Sequence, residues 1–169
     1  NKNLVAKYLS HGIKKTLGDI CNISSGKSKE KLIEGKYNVI GANGKIGKTN
    51  SFNFNEDILV TGRVGTLGTF KRYYEKVWCS DNTLIIRSSF INYIHYYLII
   101  NFNINNFNKG STQPLITQTD LGKMEVFIPN NINELEKTLN INYKLIYQLE
   151  RNNDNLNIIK DMYLKKFFG

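Results

Sequence analysis

The pattern of apolar and polar positions changes once along the chain, near residue 130, and divides it into two parts. In the first part, short runs rich in β-branched and aromatic residues end at Gly or Asn, which is typical of strands. We expect the stretch GANGKIGK (41–48) to be turn-rich, and residues 1–15 to be a short helix or an irregular lead-in. The predicted strands lie in KYNVIG (Lys36–Gly41), DILVTG (Asp57–Gly62), GTFKRYY (Gly68–Tyr74), VWCSDNTLIIR (Val77–Arg87) and MEVFIP (Met124–Pro129).

Two other segments predict helices. INYIHYYLII (Ile91–Ile100) is apolar and contains no Gly or Pro, so we interpret it as a buried helix and not as a strand. Asn131 and Glu134 form an Asn-x-x-Glu pattern typical of a helix start, and no Gly or Pro follows before Gly169. At about 1.5 Å per residue, a helix over residues 131–168 would be roughly 55 Å long, more than a domain of this size needs for its own core.

Apolar residues in this long predicted helix recur at steps of three and four, which is the heptad rhythm of a coiled coil. Polar residues occupy some of the same positions, where they reduce stability but fix the register of a partner helix. We therefore predict an antiparallel or bundle-like pairing with a second helix; the alternative is a long helix packed on its own domain. The predicted pairing residues are Leu135, Leu139, Asn142, Ile146, Leu149, Asn153, Leu156, Tyr163 and Phe167.

Charge separates the two parts further. The 169-residue chain has 23 Lys and Arg against 14 Asp and Glu, and its net charge of +9 suits a polyanion such as nucleic acid. From residue 131 onward six positive side chains nearly balance five negative ones, so +8 of this charge lies in residues 1–130. No run of about 18 apolar residues is present. We expect a cytoplasmic protein in which Cys21 and Cys79 are free thiols, although one disulfide is the alternative.

Patterns that indicate catalysis or metal binding are missing from the sequence. The segment GRVGTLG (Gly62–Gly68) lacks the Gly-x-Gly-x-x-Gly spacing of a dinucleotide-binding loop. The residues that would have to form a zinc site are His11, Cys21, Cys79 and His95. None of them is paired at the short spacing of structural zinc ligands. We therefore expect no metal, no cofactor and no catalytic activity of the chain's own.

Polar and basic loops are the most informative chemistry of the first part. Lys and Arg contact phosphates, while Asn, Gln and Arg can hydrogen bond to base edges in the major groove. Each such loop alone could be an ordinary solvent-exposed loop, but together, on the part that carries the charge excess, they favour DNA binding. The predicted DNA-binding residues are Lys27, Lys29, Lys31, Asn43, Lys45, Lys48, Asn50, Arg63, Lys71, Arg72, Lys109, Thr112 and Gln113.

The order of these segments resembles the specificity subunit of bacterial type I restriction–modification systems. The resemblance implies an α+β fold, with a target-recognition domain of short curved β-sheet and few helices over residues 1–130. One long coiled-coil helix over residues 131–169 would follow it. The segments that carry the resemblance, between Thr16 and Phe168, are TLGDICNISSGK, YNVIGANGKIGK, ILVTGRVGTLGTF, WCSDNTLII, GSTQPLITQTDLGKMEVFIP and a long helix ending in YLKKFF.

The resemblance also implies a non-catalytic role in DNA recognition. Members of the family carry two halves of this kind, and each half reads one part of a split DNA target. Their two helices pair as a spacer, and methyltransferase and restriction–translocase subunits do the chemistry.

This chain has a single half, so we expect either a half-size subunit that pairs with a second half, like or unlike, or a piece of a longer protein. Its helix start, PNNINELE, lacks the Pro-Pro and Gln common in the family. Two alternatives remain: the recognition domain of a type II restriction–methylation enzyme, and a coiled-coil adaptor without DNA affinity.

Overall fold

The computed structural model describes residues 11–28, 31–64, 67–107 and 115–168. Within these ranges the chain forms three small β-sheets, four α-helices and one 3₁₀ turn at Ile104–Phe107. The strands are β1 (Gly12–Thr16), β2 (Asn22–Ser25), β3 (Tyr37–Gly41), β4 (Gly44–Thr49), β5 (Ile58–Gly62), β6 (Lys71–Tyr73), β7 (Val77–Cys79), β8 (Thr83–Arg87) and β9 (Glu125–Pro129). The helices are α1 (Leu17–Ile20), α2 (Ile91–Asn101), α3 (Gln118–Gly122) and α4 (Ile132–Phe168).

The sheets have the strand orders β1-β9, β2-β8-β5-β6 and β4-β3-β7. Strand pairing is antiparallel except between β3 and β7, which run parallel. The architecture confirms the predicted α+β fold with few helices and a long C-terminal helix, although the strands form three small sheets. None of the described helices is both long enough and apolar enough to cross a membrane.

The central pair β5–β8 is buried on both faces and separates two hydrophobic cores. Successive side chains of a strand point to opposite faces, so Leu59 enters the larger core while Ile58 and Val60 enter the smaller one. On β8, Ile85 lies in the smaller core between two neighbours that enter the larger one. Because both faces are covered, the two strands read as continuous apolar runs without polar alternation.

The larger core receives α2 and the beginning of α4. Tyr93, Ile94 and Leu98 of α2 are fully buried, and Leu135 and Leu139 of α4 pack in the same cluster. The predicted buried helix at residues 91–100 and the predicted long helix are therefore both confirmed. At the start of α4 the backbone carbonyl of Asn131 accepts hydrogen bonds from the N–H groups of Glu134 and Leu135, at 3.1 and 3.2 Å.

Three local predictions are wrong, each because tertiary pairing outweighs the local pattern. Of residues 1–15, predicted to be a short helix or an irregular lead-in, 1–10 lie outside the described residues, and 12–15 belong to strand β1, paired in register with β9. The stretch predicted to be turn-rich contains the edge strand β4, whose ladder with β3 tolerates three Gly residues. The run VWCSDNTLIIR is not one strand, since a turn at residues 80–82 sends β7 and β8 into different sheets.

Candidate nucleic-acid interface

Several strands end at the same end of the domain. β3 and β7 run parallel, and β2 and β5 both pair antiparallel with β8, so they too share a direction. Backbone hydrogen bonds join the segments that follow: Lys27 N–H to the Cys79 carbonyl at 3.0 Å, and Ser80 N–H to the Ile40 carbonyl at 2.9 Å. We call this end the tip and define it as residues 25–28, 41–45, 62–64 and 80–82 together with Lys71.

Close backbone approaches at the tip explain two of its glycines. Gly44 has a φ of +115°, which lets the β3–β4 hairpin turn through Ala42 and Asn43 alone. Gly26 lies so near β7 that an added Cβ would be 2.1 Å from the Ser80 carbonyl oxygen. The Gly-rich segments of the sequence are therefore needed to bring four loops together.

Five of the predicted DNA-binding residues meet at the tip: Lys27, Asn43, Lys45, Arg63 and Lys71. All are exposed except Arg63, which is half-buried. The Lys71 ammonium donates to the backbone carbonyl of Asn43 at 3.0 Å, so it lies beside the hairpin turn. Four cations against Asp81 alone make the described part of this surface positive.

Three other predicted residues lie away from the tip, toward the opposite end of the β3–β4 hairpin. Lys48 is paired with Asn38 in the ladder, and its carbonyl accepts from the N–H of Ile33, which places Lys31 nearby. The side chain of Asn50 accepts from a backbone N–H at 3.3 Å. These residues are exposed but separate from the first group. The predicted residues Lys29, Lys109, Thr112 and Gln113 lie outside the described residues.

The structure corrects the assignment of Arg72 to DNA. Arg72 follows Lys71 in β6, so its side chain points to the opposite face, and only 5% of it is exposed. Its Nε donates to Asp57 Oδ1 at 2.7 Å, and a second bond joins Nη2 to the same carboxylate. The guanidinium also lies over the rings of Tyr74 and Tyr143, at 4.5 and 4.9 Å. The Arg72 guanidinium therefore makes its contacts inside the domain and does not face solvent.

Helix α4 divides into a docked half and an exposed half. Leu135 and Leu139 are 0% and 1% exposed in the chain's own core, so the prediction that they meet a partner helix is corrected. Asn142 is half-buried and Ile146 is partly exposed beside the domain. Every side chain from residue 148 to 167 is exposed. The remaining predicted pairing residues, Leu149, Asn153, Leu156, Tyr163 and Phe167, belong to that exposed half.

Sequence reasoning found only part of the outward-facing row of α4: Leu149, Leu156 and Tyr163 were predicted as pairing residues, but Ile141, Leu145 and Ile159 were missed. This row, which we call the outer row, recurs at steps of three and four on the side opposite the docked Tyr143 and Tyr147. The predicted pairing residues and the outer row follow the same steps of three and four, so only the docking of the first turns shows which residues face outward. The outer row consists of Ile141, Leu145, Leu149, Asn152, Leu156, Ile159 and Tyr163.

The other reactive groups of the described chain are protected by burial. Both cysteines are free; burial raises the pKa of Cys21 to about 11 and that of Cys79 to about 12. Both thiols therefore stay protonated and unreactive near neutral pH. Within the described ranges, no group of three or more His, Cys, Asp or Glu is arranged to hold a metal.

Comparisons with known proteins give one consistent result. The family described as "Type I restriction modification DNA specificity domain" matches residues 13–160. A comparison with curated protein sequences gave no significant match.

Among solved structures, the S subunit of a type I restriction–modification system from M. genitalium superposes with a TM-score of 0.76 at 22% identity. The alignment covers 94% of this chain and 46% of that one. The HsdS subunit from Thermoanaerobacter tengcongensis gives a TM-score of 0.53 at 14% identity, with coverage of 89% and 44%.

A chain from a study of complex assembly and conformational transition of the type I R-M system gives a TM-score of 0.57 at 14% identity. That alignment covers 98% of this chain and 47% of the other. At these identities the structures show a shared fold. The chain spans less than half the length of each of the three.

Proposed function

The chain belongs to the family of type I restriction–modification DNA specificity domains, and from this membership we propose that the tip binds one half of a bipartite DNA target. As a specificity domain it is a non-catalytic component, and we place its work in the bacterial cytoplasm, where chromosomal DNA is accessible. The observation that carries the proposal is the convergence of Lys27, Asn43, Arg63 and Lys71, from four separate segments, on one positive surface.

The side chains at the tip divide by chemistry into two tasks. Lysine ammonium groups bind phosphates as point charges and supply the part of the affinity that does not depend on sequence. Asn43 and Arg63 carry the amide and guanidinium groups that form paired hydrogen bonds with adenine and guanine in the major groove. Because Lys71 bonds to the backbone of Asn43, it supports the turn without using the Asn43 amide.

We propose that residues 1–130 form the recognition domain, and that residues 131–169 form a spacer that pairs with a second such helix. The chain covers 46% of the S subunit with which it superposes at 0.76, as expected for one of two halves. Two copies paired through the outer row would read an interrupted palindrome, with a gap set by helix length. Methyltransferase and restriction subunits would complete the assembly, as in type I systems.

Salt dependence of DNA binding tests the proposal. The affinity for a random-sequence duplex should fall steeply as salt rises, with a log–log slope of about −0.9 for each phosphate neutralised. Replacing the tip cations by Gln should flatten that slope by roughly 3 to 4. The residues replaced together are Lys27, Lys45, Arg63 and Lys71.

A matched variant controls for the change in net charge. It removes four exposed cations elsewhere on the chain and should leave most of the slope intact. The residues replaced in the control are Lys15, Lys123, Lys137 and Lys144. A wild-type affinity that does not respond to salt, or equal losses in the two variants, would contradict a DNA-binding tip.

A further inference from the structure

Arg72 begins a chain of contacts that crosses from the recognition domain to the long helix. Its guanidinium is paired with Asp57 and donates through Nη1 to the side-chain oxygen of Asn92, on α2. The Asn92 amide in turn donates to Glu136 Oε1, on α4, at 2.5 Å. Four polar side chains from four segments are thus linked in series, and Arg72, Asn92 and Glu136 are largely withdrawn from solvent.

Glu136 also caps helix α2 from outside. The backbone N–H groups of Asn92 and Tyr93 donate to its two carboxylate oxygens, at 3.0 and 2.8 Å. The N-cap position of α2 is Phe90, which has no side-chain acceptor to offer these groups. A carboxylate at a helix N-terminus is favoured both by the unpaired N–H groups and by the helix dipole. The long helix therefore satisfies the first turn of its neighbour.

Aromatic rings support the same junction. The Arg72 guanidinium lies between Tyr74 of the domain and Tyr143 of α4, and the Tyr143 ring stacks on His95 at 5.3 Å. One turn further, Tyr147 packs against Tyr74 with ring centroids 5.0 Å apart. A half-open cavity of about 440 Å³ lies beside these rings, between β6 and α4. Where α4 passes β6, it contacts the domain through these rings and through the packing of Tyr143 against the larger core.

These contacts constrain the helix differently from its apolar ones. Packing of Leu135 and Leu139 in the core is non-directional and tolerates small rotations. A bidentate guanidinium–carboxylate pair, a stacked guanidinium and a carboxylate cap each require a defined geometry. In addition, β6 carries Lys71 at the tip and Arg72 at the junction, so the two sites are adjacent residues of one three-residue strand.

We propose that Asp57, Arg72, Asn92 and Glu136 form a joint that fixes the direction of α4 relative to the tip. The joint would thereby determine which spacing between two half-sites the chain accepts. This inference rests on the proposed function, since a spacing exists only if two tips read one target. In a pair of such halves, the length of α4 would set the distance between the two tips. The joint, by fixing the direction of α4, would limit that distance to one value.

Distance measurement between two spin labels tests the joint without DNA. Labels on Asn55→Cys in the domain and Asn157→Cys on the exposed half of α4 report the angle of the helix, and neither position belongs to the tip or the outer row. Cys79 is buried and Cys21 is half-buried, and burial raises the pKa of both thiols, so mild labelling near neutral pH favours the introduced pair. Dilution with unlabelled chain restricts the measured distances to those within one molecule.

Wild type should give one narrow distance distribution, and Glu136→Gln should broaden it because the Tyr93 N–H loses its carboxylate partner. Arg72→Lys provides a second variant, because lysine cannot form the bidentate, stacked contact. Asp161→Asn makes the same carboxylate-to-amide change far along the exposed half and should leave the distribution unchanged. Equal widths in wild type, Glu136→Gln and Arg72→Lys would overturn the joint, whether or not the chain binds DNA.

The consequence for spacing is read from methylated DNA. In cells that also supply the cognate methyltransferase subunits, wild type should place methyl groups at half-sites separated by one gap length. Glu136→Gln should keep the half-site sequences but accept several gap lengths. A single unchanged gap length in this variant would overturn the role of the joint in spacing. If instead the tip variant keeps the salt dependence of wild type, that result counts against DNA binding by the tip and does not bear on the joint.

Discussion

The two halves of α4 have the same rhythm of apolar residues but different surroundings. In the first half, Ile132, Leu135 and Leu139 are buried in the core of the recognition domain. In the second half, Leu156 and Phe167 occupy equivalent steps of the pattern and are 62% and 63% exposed. A periodic apolar face therefore indicates that a helix will be covered, but not by what. Here the cover is the chain's own domain for one half, and we propose a second helix for the other.

The largest expected effect is on the docked half. Leu139→Ala should lower the free energy of unfolding by about 2–5 kcal/mol, because the truncated side chain leaves a cavity in a closely packed core. Leu156→Ala, the same change on the exposed half, should leave the stability of a single chain nearly unchanged. Urea unfolding at several chain concentrations separates the two. The contrast between the halves would be refuted by similar losses in both variants at low concentration.

Pairing of the exposed half is tested by two neighbouring isoleucines. Ile159 lies on the outer row and Ile158 lies off it, yet they are 48% and 58% exposed. If the outer row pairs, Ile159→Ala should weaken self-association by roughly 10- to 100-fold, since burial of such a side chain contributes about 1.5–3 kcal/mol. Ile158→Ala is the matched control and should change it little. Sedimentation equilibrium measures both; equal effects, or a monomeric wild type at high concentration, would exclude pairing through this row.

The comparison also shows how far the sequence could predict the structure. Strands β5 and β9 and both longer helices could be predicted from local patterns. In long periodic or β-branched runs, the order of apolar and polar residues reflects which faces are buried. β1 and β4 were missed, since their partners lie elsewhere in the chain and their Lys and Gly residues carry no strand signal. Local propensity is a weak guide where pairing decides the outcome.

The sequence predicts what type of surface the candidate site is, but not which residues form it. Basic and polar loops indicate a nucleic-acid-binding surface. Lys71 and Arg72, however, are neighbours in sequence, and only Lys71 lies on that surface. Strand alternation turns one toward the tip and the other toward Asp57 and Tyr143. The register of a three-residue strand depends on its pairing with β5, which no local pattern of residues 71–73 specifies.

Acid should destabilise the fold through His95 of α2, whose ring stacks on Tyr143 of the docked half. Burial of His95 lowers its pKa below the ordinary 6.5; the nearby Arg72 guanidinium lowers it further, while the Phe70 carbonyl and Asp57 oppose the shift. Below pH 6.5 the unfolded chain binds a proton that the folded chain does not, so stability falls as pH falls toward the folded pKa. The slope from this one group is at most about 1.4 kcal/mol per pH unit.

Unfolding free energies between pH 7.5 and 5, for wild type and His95→Gln, measure this contribution. Subtracting the two profiles removes every group that both chains share, so the difference should show stability lost toward acid in wild type alone. In wild type at acid pH, Tyr143 should also become more mobile, because its ring stacks on that of His95. Parallel profiles would mean that the pKa of His95 is not lowered by folding. In that case His95 would make no contribution to the pH dependence of stability.

The smallest effect should locate the boundary between the halves. Tyr147 is the last half-buried residue between 132 and 167, where the burial of α4 is described, and its ring pairs with Tyr74 of the domain. Tyr147→Leu keeps an apolar side chain but removes the ring pair, so the free energy of unfolding should fall by about 0.5–1.5 kcal/mol. Tyr163 pairs with Phe167 of its own helix, so Tyr163→Leu should change the stability of a single chain less. If the two substitutions have equal effects in urea unfolding at low chain concentration, the docked half ends before Tyr147, at Tyr143.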